Sequence, residues 1–186
     1  MEAATTAHPA IPSDLVRQAA AGDDAAFTRI VAAHHSDMVK VCVAICGDIE
    51  IAEEAAQAAW GLAWRRMPTL RDTDRLRSWL VSIAANQARD AVRRQRRRPV
   101  VALTPEIGER AVGDPNVGDP ARRSGDIDLR RALAVLDPMD RALVALRYVA
   151  GLDSFELARA VGMSPSGVRA RLARTLDRLR MELDDA

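Results

Sequence analysis

Apolar residues recur at helical rather than strand spacing along nearly the whole chain. Phe27, Ile30 and Val31, then Met38, Val41, Cys42 and Ile45, lie three and four positions apart, which predicts a helix stopped by Gly47. Ser13 and Asp14 can cap an earlier helix beginning at Leu15, and Gly22 with Asp23 and Asp24 punctuates its end. A third helix is predicted from about Glu50 to Arg66 with Ile51, Ala55, Ala59, Leu62 and Ala63 inward, and MPTLRDTDRL after it reads as a loop. From Leu76 to Arg98 there is neither Gly nor Pro, so a long fourth helix is expected, ended by Pro99.

The pattern then breaks. Residues 99 to 125 hold four of the nine prolines and four of the ten glycines, and no apolar period survives across them. A structureless stretch of that length is uncommon inside one compact domain, so it reads as a flexible linker over 99–126. The expected organisation is an N-terminal extension (1–13), a first helical body (14–98), the linker and a second helical body (127–183). In the second body, helices are predicted over Ile127 to Leu136 and from Asp137-Pro138 to Gly151, the latter carrying Leu143, Leu146 and Tyr148. In DSFELARAVGMSPSGVRARLARTLDRLRMEL, Ser154 can cap a short helix from Phe155 to Val161. A turn follows at Gly162-Met163, and Ser164 caps a last helix with Pro165 at its first position. This is a helix-turn-helix pattern.

Composition supports an all-α fold. The 186 residues, 48% of them hydrophobic, suit one medium domain or two small ones. Only six are aromatic and alanine is everywhere, so the apolar content sits on small side chains that favour helix. No run approaches a membrane span, and MEAATTAHPAIPSDL lacks a basic patch followed by an apolar stretch; a soluble, cytoplasmic protein without membrane insertion is expected. Cys42 and Cys46 are the only cysteines, which excludes a disulfide framework.

A net charge of +1 conceals clustering. All basic residues but Lys40 are arginines, a bias that a GC-rich coding sequence also produces, but their placement needs its own explanation. In the last predicted helix Val168, Leu172, Leu176, Leu179 and Leu183 share one face, while Arg171, Arg174 and Arg178 share another. The second helix of a helix-turn-helix presents its N-terminal part to base edges, which selects Ser164, Ser166, Arg169, Arg171 and Arg174. A solvated basic face on an ordinary helical hairpin is the alternative. The fourth helix ends with five arginines among residues 93 to 98, a block that repels itself unless an anion neutralises it. Upstream, Ser82, Asn86, Arg89, Arg93 and Arg97 fall near one stripe, mixing phosphate binders with an amide able to bond a base edge. Complementing the helix dipole needs only one or two such cations.

The third helix displays Glu50, Glu53, Glu54 and Gln57, a surface suited to a protein partner. Trp60 and Trp64, four apart, and Trp79 fit a core better than a base-stacking platform. His35, Cys42 and Cys46 fall on one stripe that could sketch three metal ligands, but the same stripe is what a buried helix needs and no fourth ligand is near. No catalytic constellation, Walker loop or dinucleotide fingerprint is present, so neither an enzyme nor a cofactor is expected.

The run from Phe27 to Arg98, with ICGDIEIAEEAAQAAWGLAWRR and LRSWLVSIAANQARDAVRRQRRR, resembles region 2 of the extracytoplasmic-function (ECF) sigma factors, the smallest group of the sigma-70 family. LDPMDRALVALRYVAGLDSFELARAVGMSPSGVRARLARTLDRLR resembles their region 4, and the two cover about three quarters of the chain in the family's order. The resemblance implies a promoter-specificity subunit that binds core RNA polymerase through its β and β′ subunits and directs it to promoter DNA. Region 2 would recognise and melt the −10 element and region 4 read the −35 element. Glu53, Glu54 and Gln57 match the segment that docks on the clamp helices of the largest polymerase subunit. The loop from Thr69 to Arg77 matches one that captures a flipped base, Asn86 lies where the family contacts the non-template strand, and Arg89, Arg93, Arg94 and Arg97 would hold the adjacent DNA. Arg178 extends the −35 face. The chain departs from the family at Ala58, usually acidic, at Ala85, usually basic, and at His34, His35 and Val39, usually aromatic. The resemblance also admits an anti-sigma factor, around which the linker would let the two bodies clamp.

Two other classes stay open on the residues alone. A stand-alone regulator would read a palindromic operator without polymerase, and an arginine-rich interaction protein would bind RNA or acidic partners non-specifically and with steep salt dependence.

Overall fold

A computed structural model describes residues 11–97 and 128–184. The expected extension before Ile11, the linker, and the flanking Arg98 and Ile127 lie outside these residues. The first unit is built from α1 (Ser13–Ala20), α2 (Asp24–Cys46), α3 (Ile49–Arg66) and α4 (Leu76–Arg97). Among the described residues there is no strand.

Helices α2 and α3 each begin on a carboxylate. The Asp23 side chain accepts from Ala26 N–H at 3.0 Å to start α2, and Asp48 accepts from Ile51 N–H at 2.9 Å to start α3. Gly47, at φ 74°, ends α2 in the left-handed conformation, its N–H donating to Val43 C=O. The expected cap of α1 is different: Ser13 is already helical, Pro12 precedes it, and Ser13 Oγ instead accepts from the Thr73 hydroxyl at 3.1 Å. The segment read as a loop after α3 contains two single 3₁₀ turns, Met67–Thr69 and Thr73–Arg75, and Met67 is fully buried. Asp72 supplies the turn chemistry by accepting from Asp74 N–H.

Small side chains let the three long helices approach closely. Ala52, Ala55, Ala56, Ala59 and Ala63 of α3 and Ala84, Ala85 and Ala88 of α4 are buried among Ile30, Met38, Val41, Ile45 and Leu80. The Cys42 and Cys46 thiols donate to the carbonyls of Ala84 and Ala88 on α4, at 3.6 and 3.9 Å. Burial pushes the Cys42 thiol up to about 12 and the Cys46 thiol up to about 11, so both stay protonated and behave as core groups.

The second unit contains α5 (residues 128–134), α6 (Pro138–Val144) running into a π-helical turn (Ala145–Val149), α7 (Ser154–Val161) and α8 (Pro165–Asp184). The cap of α7 is Asp153 rather than Ser154: its carboxylate accepts from Phe155 and Glu156 N–H while Glu156 accepts from Asp153 N–H, a complete capping box. Gly162, at φ 71°, makes the turn into α8, where Ser164 Oγ accepts from Gly167 N–H at 3.1 Å as expected.

The two units are docked. Leu143, Leu146, Leu152 and Leu157 of the second belong to one buried cluster with Ile30, Met38 and Leu80 of the first. Three arginines pin the seam. Arg141, 6% exposed, donates from Nη1 to Ile45 C=O at 2.8 Å and from Nη2 to Ala134 C=O at 3.0 Å. Arg77 donates from Nη1 to Ala150 C=O at 2.7 Å, and Arg96 reaches Leu136 C=O at 3.4 Å.

Candidate nucleic-acid interface

The sequence-selected residues fall on three surfaces. On α3, Glu53, Glu54 and Gln57 are all exposed, opposite the buried alanine row that meets α2 and α4. Ala58 is exposed on the same side. The inward alanines pack α3 directly on α2 and α4, which fixes the outward face that carries the acidic ridge.

On α4, Arg93, Arg94 and Arg97 are exposed along the last turns, with Asn86 exposed about two turns before Arg93. Asn86 Oδ1 accepts from Arg89 Nη1 at 3.0 Å, and Arg93 pairs with Asp90. These exposed groups form a track of guanidinium forks and one amide, the chemistry that phosphate and base edges require. Ser82 is less available, its hydroxyl donating to Ser78 C=O at 2.6 Å. Arg77 is not on the track: its Nε bonds Asp37 Oδ2 at 2.9 Å while Nη1 holds Ala150 of the second unit. Ala85, at 2% exposure, faces the core, which explains a small residue there.

On α8, Ser164, Ser166, Arg169, Arg174 and Arg178 are exposed, and Val168, Thr175 and Leu179 face inward. Arg171 leaves this group. Its Nε bonds Asp140 Oδ1 at 2.5 Å and its Nη2 lies 3.4 Å from Asp137 Oδ1, turning the side chain toward α4. There it meets Arg89, whose guanidinium pKa is lowered by burial and then by Arg93 and Arg171 nearby.

The proposed tryptophan roles resolve toward packing. Phe27 lies edge-on to Trp60 with ring centroids 5.7 Å apart and tilted on Trp64 at 4.7 Å. Trp60 Nε1 donates to His35 Nδ1 at 3.2 Å, so His35 points to α3 whereas Cys42 and Cys46 point to α4. The three do not converge, and among the described residues no group of His, Cys, Asp or Glu could hold a metal ion.

One surface escaped the sequence reading: an open apolar groove of about 390 Å³ between α5, the π-helical turn and α8, bordered by Leu129, Leu133, Val144, Tyr148, Leu176 and Leu183. The signal was present in Tyr148, which sits on a predicted helix but is 60% exposed, a property that spacing alone does not reveal.

Residues 30–98 match the family model for sigma-70 region 2 and residues 126–179 match that for sigma-70 region 4. The chain belongs to the sigma-70 family, in its extracytoplasmic-function group. Sigma factors of this family are non-enzymatic factors for promoter-specific transcription initiation. The chain is similar to the sigma factor CarQ of Myxococcus xanthus, 34% identical over 70% of this chain and 73% of the relative. It is 28% identical to the ECF sigma factor SigL of Mycobacterium tuberculosis over 91% of this chain and 96% of the relative. It is 32% identical to the probable sigma factor RfaY of Xanthomonas campestris pv. campestris over 89% of this chain, and spans 42% of that relative's length. Its fold is similar to that of CnrH, solved in complex with the cytosolic domain of CnrY, with a TM-score of 0.69, 24% identity and 95% and 99% of the two chains covered. RpoE of Bartonella quintana, solved with the anti-sigma factor NepR, gives a TM-score of 0.62 at 18% identity over 85% and 96%. Among the described residues no helix of this sigma factor is long and apolar enough to cross a membrane.

Proposed function

We propose that this sigma factor divides its work among the three surfaces. The units are the functional domains: a region 2 domain over 14–98 and a region 4 domain over 127–183, joined by the linker 99–126 and acting in the cytoplasm. Glu53, Glu54 and Gln57 dock on the clamp helices of the polymerase β′ subunit. Asn86, Arg89, Arg93, Arg94 and Arg97, with Ser82 and Arg77, hold the melted −10 region, where phosphate contacts offset an unstacking cost of a few kcal/mol. Ser164, Ser166, Arg169, Arg171, Arg174 and Arg178 read the −35 element from the major groove. Arg77 and Arg171 join only when the units part, because each is now held at the seam. The apolar groove gives region 4 a surface for the β subunit, since a predominantly apolar face suits protein better than phosphate. An anti-sigma factor is a further expected partner.

The observation that carries this reading is the separation of an exposed acidic ridge on α3 from exposed basic faces on α4 and α8, giving protein and DNA distinct sites. Run-off transcription from a library of upstream regions with core polymerase tests it. Start sites should appear only with the sigma factor present, be lost with Glu53→Lys plus Glu54→Lys, and weaken with Arg174→Ala plus Arg178→Ala. Absence of new start sites, together with tight polymerase-independent binding to a palindromic duplex, would make the protein a stand-alone regulator instead.

A further inference from the structure

The seam between the units holds a second open pocket, of about 350 Å³, bordered by Arg89, Arg93, Arg96 and Arg97 of α4, by Asp137, Pro138 and Met139 at the start of α6, and by Arg171 of α8. We propose that this pocket binds a compact polyanion carrying two or more adjacent phosphates, and that the bound anion fastens the two units together.

Charge is the first argument. Five guanidinium groups border the pocket against one lining carboxylate, Asp137. Adding Asp90, bonded to Arg93, and Asp140, bonded to Arg171, five positive charges face three negative ones, which leaves two unmatched. Such crowding costs free energy until a multivalent anion enters. A second, independent sign is an orphan donor. Arg89 Nε is buried and has no hydrogen-bond partner among the described residues, an arrangement that a phosphate oxygen would repair. Arg89 is also the pocket arginine whose pKa is lowered, chiefly by burial, so a ligand that stabilises its charge gains most there.

The lining also selects the ligand. No aromatic side chain borders the pocket, so a base has only guanidinium planes to stack on, and the phosphates carry most of the recognition. A diphosphate group, free or carried by a nucleotide, presents enough oxygens to bridge forks from both units at once. Duplex DNA does not fit this description. The pocket is bordered on one side by residues of α6 and α8, whereas a rod-like polyanion needs a track unobstructed along its length.

Binding across the seam favours the docked form by mass action, because the separated units no longer make the site. The further consequence rests on the reading of α8 above: an anion that holds Arg171 against α4 withholds it from the −35 element. Binding itself does not depend on that reading, so the two can fail separately.

The test is calorimetric titration of the full chain with tripolyphosphate at about 0.15 M salt, with orthophosphate and adenosine triphosphate as parallel probes. One saturable site is expected for tripolyphosphate and for the nucleotide, and none for orthophosphate over the same range. Arg171→Ala should weaken it about tenfold or more, and Arg93→Ala likewise, while Arg94→Ala, which removes the same charge from α4 outside the pocket, should weaken it less than about threefold. Circular dichroism checks that each variant is folded. Equal losses for Arg94→Ala and Arg171→Ala would show only a diffuse basic surface, and absence of saturable tripolyphosphate binding would remove the site; either result overturns the proposal. Binding of tripolyphosphate but not the nucleotide would assign the site to inorganic polyphosphate.

Discussion

The basic end of α4 and the basic face of α8 carry similar side chains on different foundations. Arg93, Arg94 and Arg97 of α4 project from a bundle in which three long helices bury one another, so their placement rests on the first unit, although Arg96 beside them reaches across the seam. The second unit has little core of its own: Ala132, Leu136 and Leu179 form a small cluster, whereas Leu143, Leu146, Leu152 and Leu157 complete the core of the first. Arg171 accordingly turns inward to Asp137 and Asp140 while Arg174 and Arg178 remain exposed. Similar residue types in a similar helical pattern thus give one permanent anion surface and one that depends on whether the units are docked.

Loss of core volume should break the comparison most strongly. All three tryptophans, Trp60, Trp64 and Trp79, lie in the first unit, so their fluorescence reports that unit selectively during urea unfolding. Met38→Ala, at a fully buried position, should lower the stability so measured by roughly 2–5 kcal/mol. Leu136→Ala, equally buried but in the small cluster, should shift the tryptophan transition by less than about 1 kcal/mol while reducing helicity. Equal shifts would show that the two cores are one.

At the seam, Arg141→Ala should cost about 2 kcal/mol, because the carbonyls of Ile45 and Ala134 lose a buried charged donor. Native-state hydrogen exchange should show the loss concentrated in α6 and the end of α2. At the turn into α7, Asp153→Ala removes the carboxylate half of the capping box, leaving the backbone N–H at 153 to Glu156, and should cost about 1 kcal/mol, read as faster exchange in α7 alone.

The thiols give the smallest effect near neutrality and one that grows with pH. Their folded pKa values, about 12 for Cys42 and about 11 for Cys46, lie above the ordinary 9.0, so the folded chain binds these protons more tightly than the unfolded chain. The stabilisation is fully present below about pH 9 and is lost as pH rises toward 11 and 12, on the order of 1 kcal/mol per thiol by pH 10. Urea midpoints at pH 8 and pH 10, compared with Cys42→Ala, measure it; a pH-independent difference would contradict the burial argument.

Helices were the most legible feature of the sequence, because 3.6-residue apolar spacing and glycine stops act locally: Gly47 and Gly162 end helices where the pattern places them. Caps were legible to within one residue. Ser13 and Ser154 were plausible, but Thr73 engages the first and the adjacent Asp153 out-competes the second with a charged acceptor. Docking was not legible. Nothing in the spacing of Leu143, Leu146, Leu152 and Leu157 says whether they face their own unit or another, and the role of Arg141 depends on carbonyls ninety-six and seven residues away. For the same reason Arg171 reads as one of a set with Arg174 and Arg178 on a helical wheel, but its partners come from α6.

The most direct test of the account is the distance between the units in the two states of the protein. Gln95→Cys on α4 and Ala173→Cys on α8 place labels on exposed positions, and the high pKa values of Cys42 and Cys46 keep the native thiols unreactive at neutral pH. The account predicts a single short distance in the free sigma factor and a much longer one in the complex with core polymerase and promoter DNA. The same short distance in both states would contradict it, since Arg171 would then remain at the seam while transcription starts.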